Sequence, residues 1–173
     1  MTKYVIYILL VVTTFSCSKK IEIDENKVFK LNRYDNISSL DPINARTQAN
    51  NWACNLIYNS LVKIDQQLEI QPDIAKSWVI SSNGKTYSFT LKNDVYFHKH
   101  EAFGKDSTRI VTASDFVFSF DRLKDPKAGG SGGWIMNNID SYQAKNDSVF
   151  EIKLKEAYPA FLGLISMKYA SVV

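Results

Sequence analysis

The sequence predicts an α/β (mixed α+β) fold for most of the chain. Two segments alternate apolar and polar residues on either side of a turn-forming sequence, at Asn83-Gly84 and at residues 145–147, and each predicts a β-hairpin. Two other segments, residues 45–59 and 112–125, place apolar residues three and four positions apart, which is the spacing of one helix face. Hairpins separated by helices are typical of a mixed fold.

The composition of the chain excludes several classes of protein. Of the 173 residues, 45% are hydrophobic and 23% are charged, which excludes a disordered or collagen-like chain. The 21 lysines and arginines stand against 18 aspartates and glutamates, and a net charge of only +3 argues against a nucleic-acid partner. The sequence has no repeat of about 20 to 50 residues, so neither a solenoid nor a propeller is expected.

The N-terminal segment has the outline of a secretory signal peptide. Lys3 precedes an apolar run over residues 4–12, which is shorter than the roughly 20 apolar residues that span a bilayer. The residues that lead to Cys17 resemble the bacterial lipobox, in which the cysteine carries lipid and becomes the mature N-terminus. We therefore expect residues 1–16 to be a signal peptide, Cys17 to be lipidated and residues 17–26 to form a tether. The alternatives are a signal peptide cut near Cys17 and an uncleaved short anchor.

Strands and one helix are expected in the segment that follows. Residues 27–33 alternate weakly between apolar and polar faces, which predicts a first strand. The chain turns at residues 40–42, because a residue before proline is disfavoured in the helical conformation. A helix is then expected over residues 45–59, and two short extended pieces at residues 61–64 and 68–70.

The middle of the chain carries the first hairpin. Asp73 is expected to cap a single helical turn over residues 74–76. Residues 78–80 and 87–91 are the expected strands on either side of the Asn83-Gly84 turn. The residues of the second strand that should face the core are Tyr87, Phe89 and Leu91.

A strand over residues 95–98 and an inserted polar loop over residues 99–109 are expected next. Thr112 stands ahead of an acidic residue and an apolar run, which is the pattern of a helix start, and Pro126 ends that helix. The glycine-rich residues 129–133 predict a flexible loop.

The last part of the chain predicts a second hairpin over residues 141–154 and a short helix that opens near Pro159. Residues 161–173 are mostly apolar. We therefore expect the chain to stop inside a domain whose remaining residues would cover them.

Three features are candidates for a chemical site, and each has a structural alternative. His98 and His100 would point the same way on a strand and could share an ion, but two ligands do not complete a zinc site. Residues 129–133 could bring backbone amides to a phosphate, but they lack the lysine of a P-loop. Cys54 lies on an apolar helix face, which favours a buried small residue over a nucleophile. With no grouping of Ser, His and an acidic residue, the sequence predicts no enzyme, no metal site and no cofactor.

An ordered set of motifs runs along most of the chain. The motifs are Ser39-Leu40-Asp41-Pro42, residues 57–62, residues 71–78, residues 83–98 and residues 111–126, with shorter matches at residues 150–154 and 159–162. Together they resemble one known family, the family 5 extracellular solute-binding proteins, which are the peptide and oligopeptide receptors of ABC importers. Taken in order, these motifs are far more specific than any one of them alone.

The resemblance implies the N-terminal lobe of a two-lobed periplasmic-binding-protein fold (type II, cluster C-like), extending over residues 27–173 and stopping before the second lobe. It implies a receptor in the cell envelope that binds a peptide or another small solute outside the cytoplasmic membrane and hands it to ABC permease subunits. Such receptors close on a ligand and carry out no reaction. The ligand-binding residues that it implies are Arg46, Gln48, Asn55, Gly132 and Trp134.

Two of these residues have a clear chemical role and a structural alternative. Arg46 could pair with a ligand carboxylate through two hydrogen bonds, or it could be a solvated residue before a helix. Trp134 could stack on a ligand, or it could cover the core. At the level of function, the alternative is a surface lipoprotein that uses the same scaffold for adhesion or sensing. A secreted hydrolase is disfavoured because the nucleophile grouping is missing.

Overall fold

The structure is a computed structural model, and it describes Lys30, Asn32, residues 34–128 and residues 130–173. The predicted signal peptide, Cys17 and the tether lie outside the described residues, as does most of the strand expected at residues 27–33.

The chain divides into two units, Met1–Tyr34 and Asp35–Val173. In the first unit, the described residues Lys30, Asn32 and Tyr34 are exposed to solvent. The second unit holds the helices and strands described below. Among the residues that the structure describes, no helix has the length and apolar character needed to cross a bilayer.

Helix α1 (Gln48–Ile57) confirms the helix predicted over residues 45–59, with narrower bounds. It begins at Thr47, whose hydroxyl accepts the backbone N–H of Asn50 at 3.2 Å and so satisfies one of the donors at the helix start. The helix buries Ala49, Asn50, Ala53 and Cys54. Trp52 and Leu56 are more exposed, so the apolar spacing identifies the helix but only part of its buried face.

A small hairpin follows, in which β1 (Val62–Ile64) pairs antiparallel with β2 (Ile70–Pro72). Its turn depends on Asp65, whose carboxylate accepts the backbone N–H groups of Gln67 and Glu69 at 2.9 Å each. These bonds reverse the chain within a few residues. The two predicted extended pieces are therefore confirmed, with the second strand shifted by two residues.

The helical turn predicted after Asp73 is wrong, because this segment enters a strand. Strand β3 (Ala75–Ile80) begins two residues beyond Asp73. The Asp73 carboxylate instead accepts hydrogen bonds from the side-chain amide of Asn59 at 2.8 Å and from the backbone N–H of Ser60 at 3.1 Å. These bonds tie the start of the strand to the segment just after α1.

Strands β4 (Thr86–Leu91), β5 (Ile139–Asn146) and β6 (Val149–Leu154) join β3 in an antiparallel sheet of order β3-β4-β6-β5. Both predicted hairpins are confirmed, β3 with β4 and β5 with β6. The first turn contains Gly84 at a φ of +69°, a conformation that glycine adopts without a Cβ clash. The residues of β4 predicted to face the core are all buried, namely Tyr87, Phe89 and Leu91.

Helix α2 (Ala113–Lys124) begins and ends where the sequence predicts. Thr112 and Asp115 form a capping box at its start, and the Thr112 backbone N–H donates to the Asp115 carboxylate at 2.8 Å. Asp125, ahead of Pro126, follows its last residue. The helix packs against the sheet through Phe120, whose ring contacts Tyr142 of β5 and Phe150 of β6.

Aromatic rings fill the space between the sheet and the helices. Phe120 of α2 meets Phe150 of β6 edge to face, with ring centroids 5.3 Å apart. Helix α3 (Phe161–Ile165) is the predicted last helix, and its Phe161 packs on Tyr87 with ring centroids 4.8 Å apart. Because Phe161 is fully buried, the start of the apolar C-terminal run is covered by residues of this chain.

The strand predicted over residues 95–98 is wrong. It is reduced to a single antiparallel bridge between Tyr96 and Ile110, flanked by backbone hydrogen bonds from Phe97 to Arg109 and from Val111 to Val95. The inserted loop predicted beyond it is present and contains a 3-10 segment, Glu101–Asp106.

Arg109 anchors the end of this loop to α2. Its guanidinium lies 4.7 Å from the ring centroid of Phe97, and its Nη1 donates to the Asp115 carboxylate at 2.8 Å. Burial acts to raise the pKa of Asp115, but the hydrogen bonds from Arg109 and Thr112 outweigh it and hold that pKa below its usual value.

Candidate functional site

The turn at Asp41 places the first predicted site residue. One oxygen of the Asp41 carboxylate accepts the backbone N–H of Ile43 at 3.3 Å and starts a 3-10 turn, Pro42–Asn44. The other oxygen accepts a hydrogen bond from Nη2 of Arg122, on α2, at 2.7 Å. Because Ile43 is buried and Arg46 is exposed, the turn is fixed to the core while Arg46 faces solvent.

One exposed face of α1 carries two more predicted site residues. Gln48 and Asn55 lie seven positions apart, so they share a helix face, and both are exposed. The side-chain amide of Asn55 donates to Oδ1 of Asn51 at 2.7 Å. Trp52 lies between them on the same face with 43% of its surface exposed. The sequence did not single out Trp52, although its spacing from Gln48 and Asn55 is the signal that could have done so.

The glycine-rich loop lies directly against the Asp41 turn. Ser131 donates its backbone N–H to the carbonyl oxygen of Ile43 at 2.9 Å, and its hydroxyl lies 3.3 Å from the same oxygen. Gly130 is equally close, since a Cβ built there would lie 3.0 Å from the Cβ of Ile43. The two segments that the resemblance assigns to the ligand are therefore in contact.

Within this loop, Gly132 is buried and Trp134 is 48% exposed. Both lie at the start of a 3-10 segment, Gly133–Asn138, which buries Ile135 and Met136 and turns Trp134 outward. Trp134 therefore presents an aromatic surface to solvent three residues after the contact with the Asp41 turn.

Tyr169 also belongs to this region, and the sequence did not mark it. Its hydroxyl donates to the carbonyl oxygen of Ala45 at 3.0 Å, and its ring covers Gly132. It lies in the apolar C-terminal run, where no local pattern separates it from core residues. The neighbouring Lys168 is partly buried, and burial lowers the pKa of its ammonium while the Asp73 carboxylate opposes that shift.

Cys54 is fully buried in α1, as the sequence predicts. Its Sγ lies 3.6 Å from the carbonyl oxygen of Leu40. Burial, followed by the charge of Asp41, raises the pKa of the thiol. A buried thiol with a raised pKa is a poor nucleophile, so Cys54 acts as a small core residue.

The two histidines bind separate backbone groups. Nε2 of His98 lies 3.0 Å from the carbonyl oxygen of Ile57, and Nδ1 of His100 accepts the backbone N–H of Ala102 at 3.1 Å. Within the described ranges, no group of three or more His, Cys, Asp or Glu side chains could hold a metal ion.

An apolar cleft of about 200 Å³ lies elsewhere on the second unit. Its lining includes Tyr58, Val95, His98, Val111 and Val172, and it includes none of the five predicted ligand-binding residues. The cleft and the two ligand-assigned segments are therefore separate features of the surface.

Comparison with known sequences identifies relatives of the chain. Residues 69–173 match the bacterial extracellular solute-binding proteins, family 5. The dipeptide-binding protein of Escherichia coli strain K12 is 32% identical over 129 residues, which are 68% of this chain and 24% of that protein. Heme-binding protein A of Haemophilus influenzae is 30% identical over 134 residues, covering 70% of this chain and 24% of that protein. The chain thus spans about a quarter of the length of these curated relatives.

Comparison with solved structures identifies proteins with a similar fold. The ABC transporter-associated periplasmic binding protein DppA from Helicobacter pylori, solved in complex with the peptide STSA, superposes with a TM-score of 0.69 and 30% identity. The superposition covers 79% of this chain and 28% of that one. The predicted mixed α/β fold of a periplasmic binding protein is confirmed, and the names of the relatives describe binding and not catalysis. The chain belongs to the bacterial extracellular solute-binding proteins of family 5.

Proposed function

We propose that this chain provides part of the substrate-binding component of an ABC importer. The component captures peptides, or another small solute, outside the cytoplasmic membrane and delivers them to permease subunits. Membership of family 5 supports this proposal, and the dipeptide-binding relative and the peptide-bound neighbour favour a peptide as the ligand. The heme-binding relative is the reason to keep other small solutes within the proposal.

One observation links the proposed function to particular residues. The Asp41 turn and the glycine-rich loop are in contact through the hydrogen bond from Ser131 to Ile43, at 2.9 Å. Arg46 follows Ile43 by three residues, Trp134 follows Ser131 by three residues, and both side chains are exposed. A positive charge and an aromatic surface are thus offered to solvent from two joined segments.

The proposed roles follow from the chemistry of these side chains. Arg46 binds a ligand carboxylate, because a guanidinium matches a carboxylate with two parallel hydrogen bonds. Trp134 covers an apolar side chain of the ligand. Gln48 and Asn55 supply amide groups that can both donate to and accept from a peptide backbone. None of these residues reacts with the ligand, and the work of the site is selection and release.

The proposal includes a membrane anchor. Residues 1–16 serve as a signal peptide, Cys17 carries lipid, residues 17–26 form a tether, and residues 27–173 form the part of the binding lobe present here. The support is the short apolar run after Lys3, the small residue before Cys17 and the polar sequence that follows. Lipid attachment would keep the receptor near its permease on the periplasmic or extracellular face of the membrane.

Peptide titration followed by NMR tests the proposed ligand site. The isotope-labelled chain is titrated with a mixed pool of tri- to pentapeptides, and shifts are followed at the Trp134 indole and the Arg46 amide. Because the chain spans about a quarter of the length of its relatives, we expect only some of the ligand contacts to be present, and binding should be weak. We expect saturable shifts at both residues with a dissociation constant on the order of 1 mM.

The control variant is Lys76→Ala, which removes an exposed positive charge from the edge strand β3. It should leave the titration unchanged, whereas Arg46→Ala should reduce the affinity. Equal loss in both variants would mean that the peptides respond only to net charge. Absence of any shift near Arg46 and Trp134 at several millimolar peptide would refute the proposed site.

Gene order separates transport from adhesion or sensing. An importer needs permease and ATPase subunits, so we expect genes for two permeases and two ATPases beside the gene for this chain. Their absence, together with unchanged peptide uptake after deletion of this gene, would contradict the transport role.

A further inference from the structure

Tyr169 joins the two ligand-assigned segments from a third position in the chain. Its hydroxyl donates to the carbonyl oxygen of Ala45, the residue before Arg46, at 3.0 Å. Its ring lies over Gly132, two residues before Trp134. A single side chain therefore contacts the segment that presents Arg46 and the segment that presents Trp134.

The contact with Gly132 leaves no room for a side chain. A Cβ built on Gly132 would lie 2.6 Å from Cδ1 and 2.7 Å from both Cβ and Cγ of Tyr169. The backbone of Gly132 is at φ −86° and ψ −4°, a conformation open to any residue. Close approach of the tyrosine ring, and not backbone conformation, is thus the physical reason for a glycine at this position.

Two further contacts fix the geometry around the ring. Ser131, next to Gly132, donates its backbone N–H to the carbonyl oxygen of Ile43 at 2.9 Å, so a backbone hydrogen bond joins the loop to the Asp41 turn beside the tyrosine ring. Two residues after Tyr169, the Ser171 hydroxyl lies 3.2 Å from the Ser60 hydroxyl, and both residues are buried. This contact ties the segment that carries Tyr169 to the core.

We propose that Tyr169 is a positioning residue that sets the arrangement of Arg46 and Trp134 before a ligand binds. The proposal rests on the function proposed above and names the side chain that pre-organises its site. Because the hydroxyl bond and the ring contact act on different segments, loss of either one should loosen the arrangement of both. Pre-organisation of this kind raises affinity by reducing the ordering that binding must otherwise impose.

The test uses two variants of the full chain with matched controls. Tyr169→Phe removes the hydroxyl bond and keeps the ring, and Gly132→Ala drives a methyl group into the ring. Their controls are Tyr158→Phe, at a 42% exposed tyrosine, and Gly163→Ala, where an added Cβ meets nothing within 4 Å. The measurements are amide hydrogen exchange at Ser131, affinity for the tri- to pentapeptide pool, and the thermal midpoint.

We expect exchange at Ser131 to be about three- to tenfold faster in Tyr169→Phe and at least about tenfold faster in Gly132→Ala. Peptide affinity should fall by about three- to tenfold in both variants at a temperature where each is fully folded. Neither control should change either quantity. A role in packing alone would lower the thermal midpoint and leave the affinity of the folded chain as it was.

The outcomes separate this inference from the function on which it rests. Exchange at Ser131 that is unchanged in both variants overturns the positioning role, whatever the chain binds. Faster exchange with unchanged peptide affinity overturns the link between positioning and binding. If the unmodified chain binds no peptide while both variants exchange faster, the contact made by Tyr169 stands and the proposed peptide function fails.

Discussion

Replacing Asp115 by asparagine should destabilise the second unit by about 2 kcal/mol at neutral pH. The Asp115 carboxylate caps α2 by accepting the backbone N–H of Thr112 at 2.8 Å, and it pairs with Arg109, whose Nη1 lies at 2.8 Å. Asparagine keeps the size of the side chain but removes its charge and turns an NH₂ group toward these donors. The perturbation is therefore electrostatic with little change in packing.

The magnitude follows from the exposure of the two partners. Loss of a helix cap costs about 1 kcal/mol. Breaking a fully buried ion pair costs about 3 to 5 kcal/mol. Here the Asp115 side chain is 10% exposed but that of Arg109 is 48% exposed, so solvent screens the pair. We therefore assign the pair about 1 kcal/mol, the upper end for exposed pairs.

The effect should disappear in acid, and its sign can be worked out. The pKa of Asp115 in the folded chain lies below the ordinary value of 3.8, so the unfolded chain takes up this proton first as the pH falls. The carboxylate therefore contributes its full stability above about pH 5 and loses it as the pH falls through the folded pKa. The difference between the native chain and Asp115→Asn should narrow steadily below pH 4.

Urea unfolding followed by tryptophan fluorescence measures this difference at pH 7 and in steps down to pH 3. The control is Asp106→Asn, which removes the same charge from an exposed loop position. It should change the unfolding free energy by less than about 0.5 kcal/mol. A difference between Asp115→Asn and the native chain that stays constant from pH 7 to pH 3 would refute the electrostatic reasoning.

Three further predictions concern ligand binding, the first turn and the anchor. Trp134→Ala should weaken peptide binding by about 1 to 3 kcal/mol, because about half of the roughly 250 Å² surface of the Trp134 side chain is exposed in the unmodified chain and can be covered by a ligand. Phe118→Ala, at another exposed aromatic residue, should leave the titration unchanged. Gly84→Ala should lower the unfolding free energy by about 1 to 2 kcal/mol, since the φ of +69° is strained for alanine, whereas Gly163→Ala should be tolerated; equal unfolding curves would contradict this. Cys17→Ser should release the protein from membranes without blocking secretion, and an unmodified protein that takes up no labelled fatty acid would show that the lipid proposal is wrong.

The parts of the fold that the sequence predicts correctly depend on signals within a few residues. Asn83-Gly84 specifies a turn because glycine alone tolerates the required φ without strain. Thr112 and Asp115 specify a helix start because both hydrogen bonds of a capping box lie within its first turn. Neither prediction needs a partner from elsewhere in the chain.

The two wrong predictions fail for the opposite reason. Asp73 has the chemistry of a helix cap, but the N–H groups that it satisfies belong to Asn59 and Ser60, which lie 14 and 13 residues earlier. Residues 95–98 have the composition of a strand, but they find only a single bridge across to Ile110. In both cases tertiary partners decide between alternatives that are locally reasonable.

The candidate site depends even more strongly on contacts between residues that are far apart in sequence. The resemblance to a family named Arg46 and Trp134, yet no local pattern could place Tyr169 between their segments, because its partner Ala45 is 124 residues away. The sequence does carry a trace of the contact in Gly132, whose backbone conformation does not itself require glycine. A glycine without a conformational reason indicates a close neighbour, and here that neighbour is the ring that joins both segments. The proposed binding residues Arg46 and Trp134 are exposed and chemically distinct, whereas the residue proposed to position them, Tyr169, is half-buried and distant from both in sequence. Its position is indicated by the space that its ring denies to a side chain at Gly132.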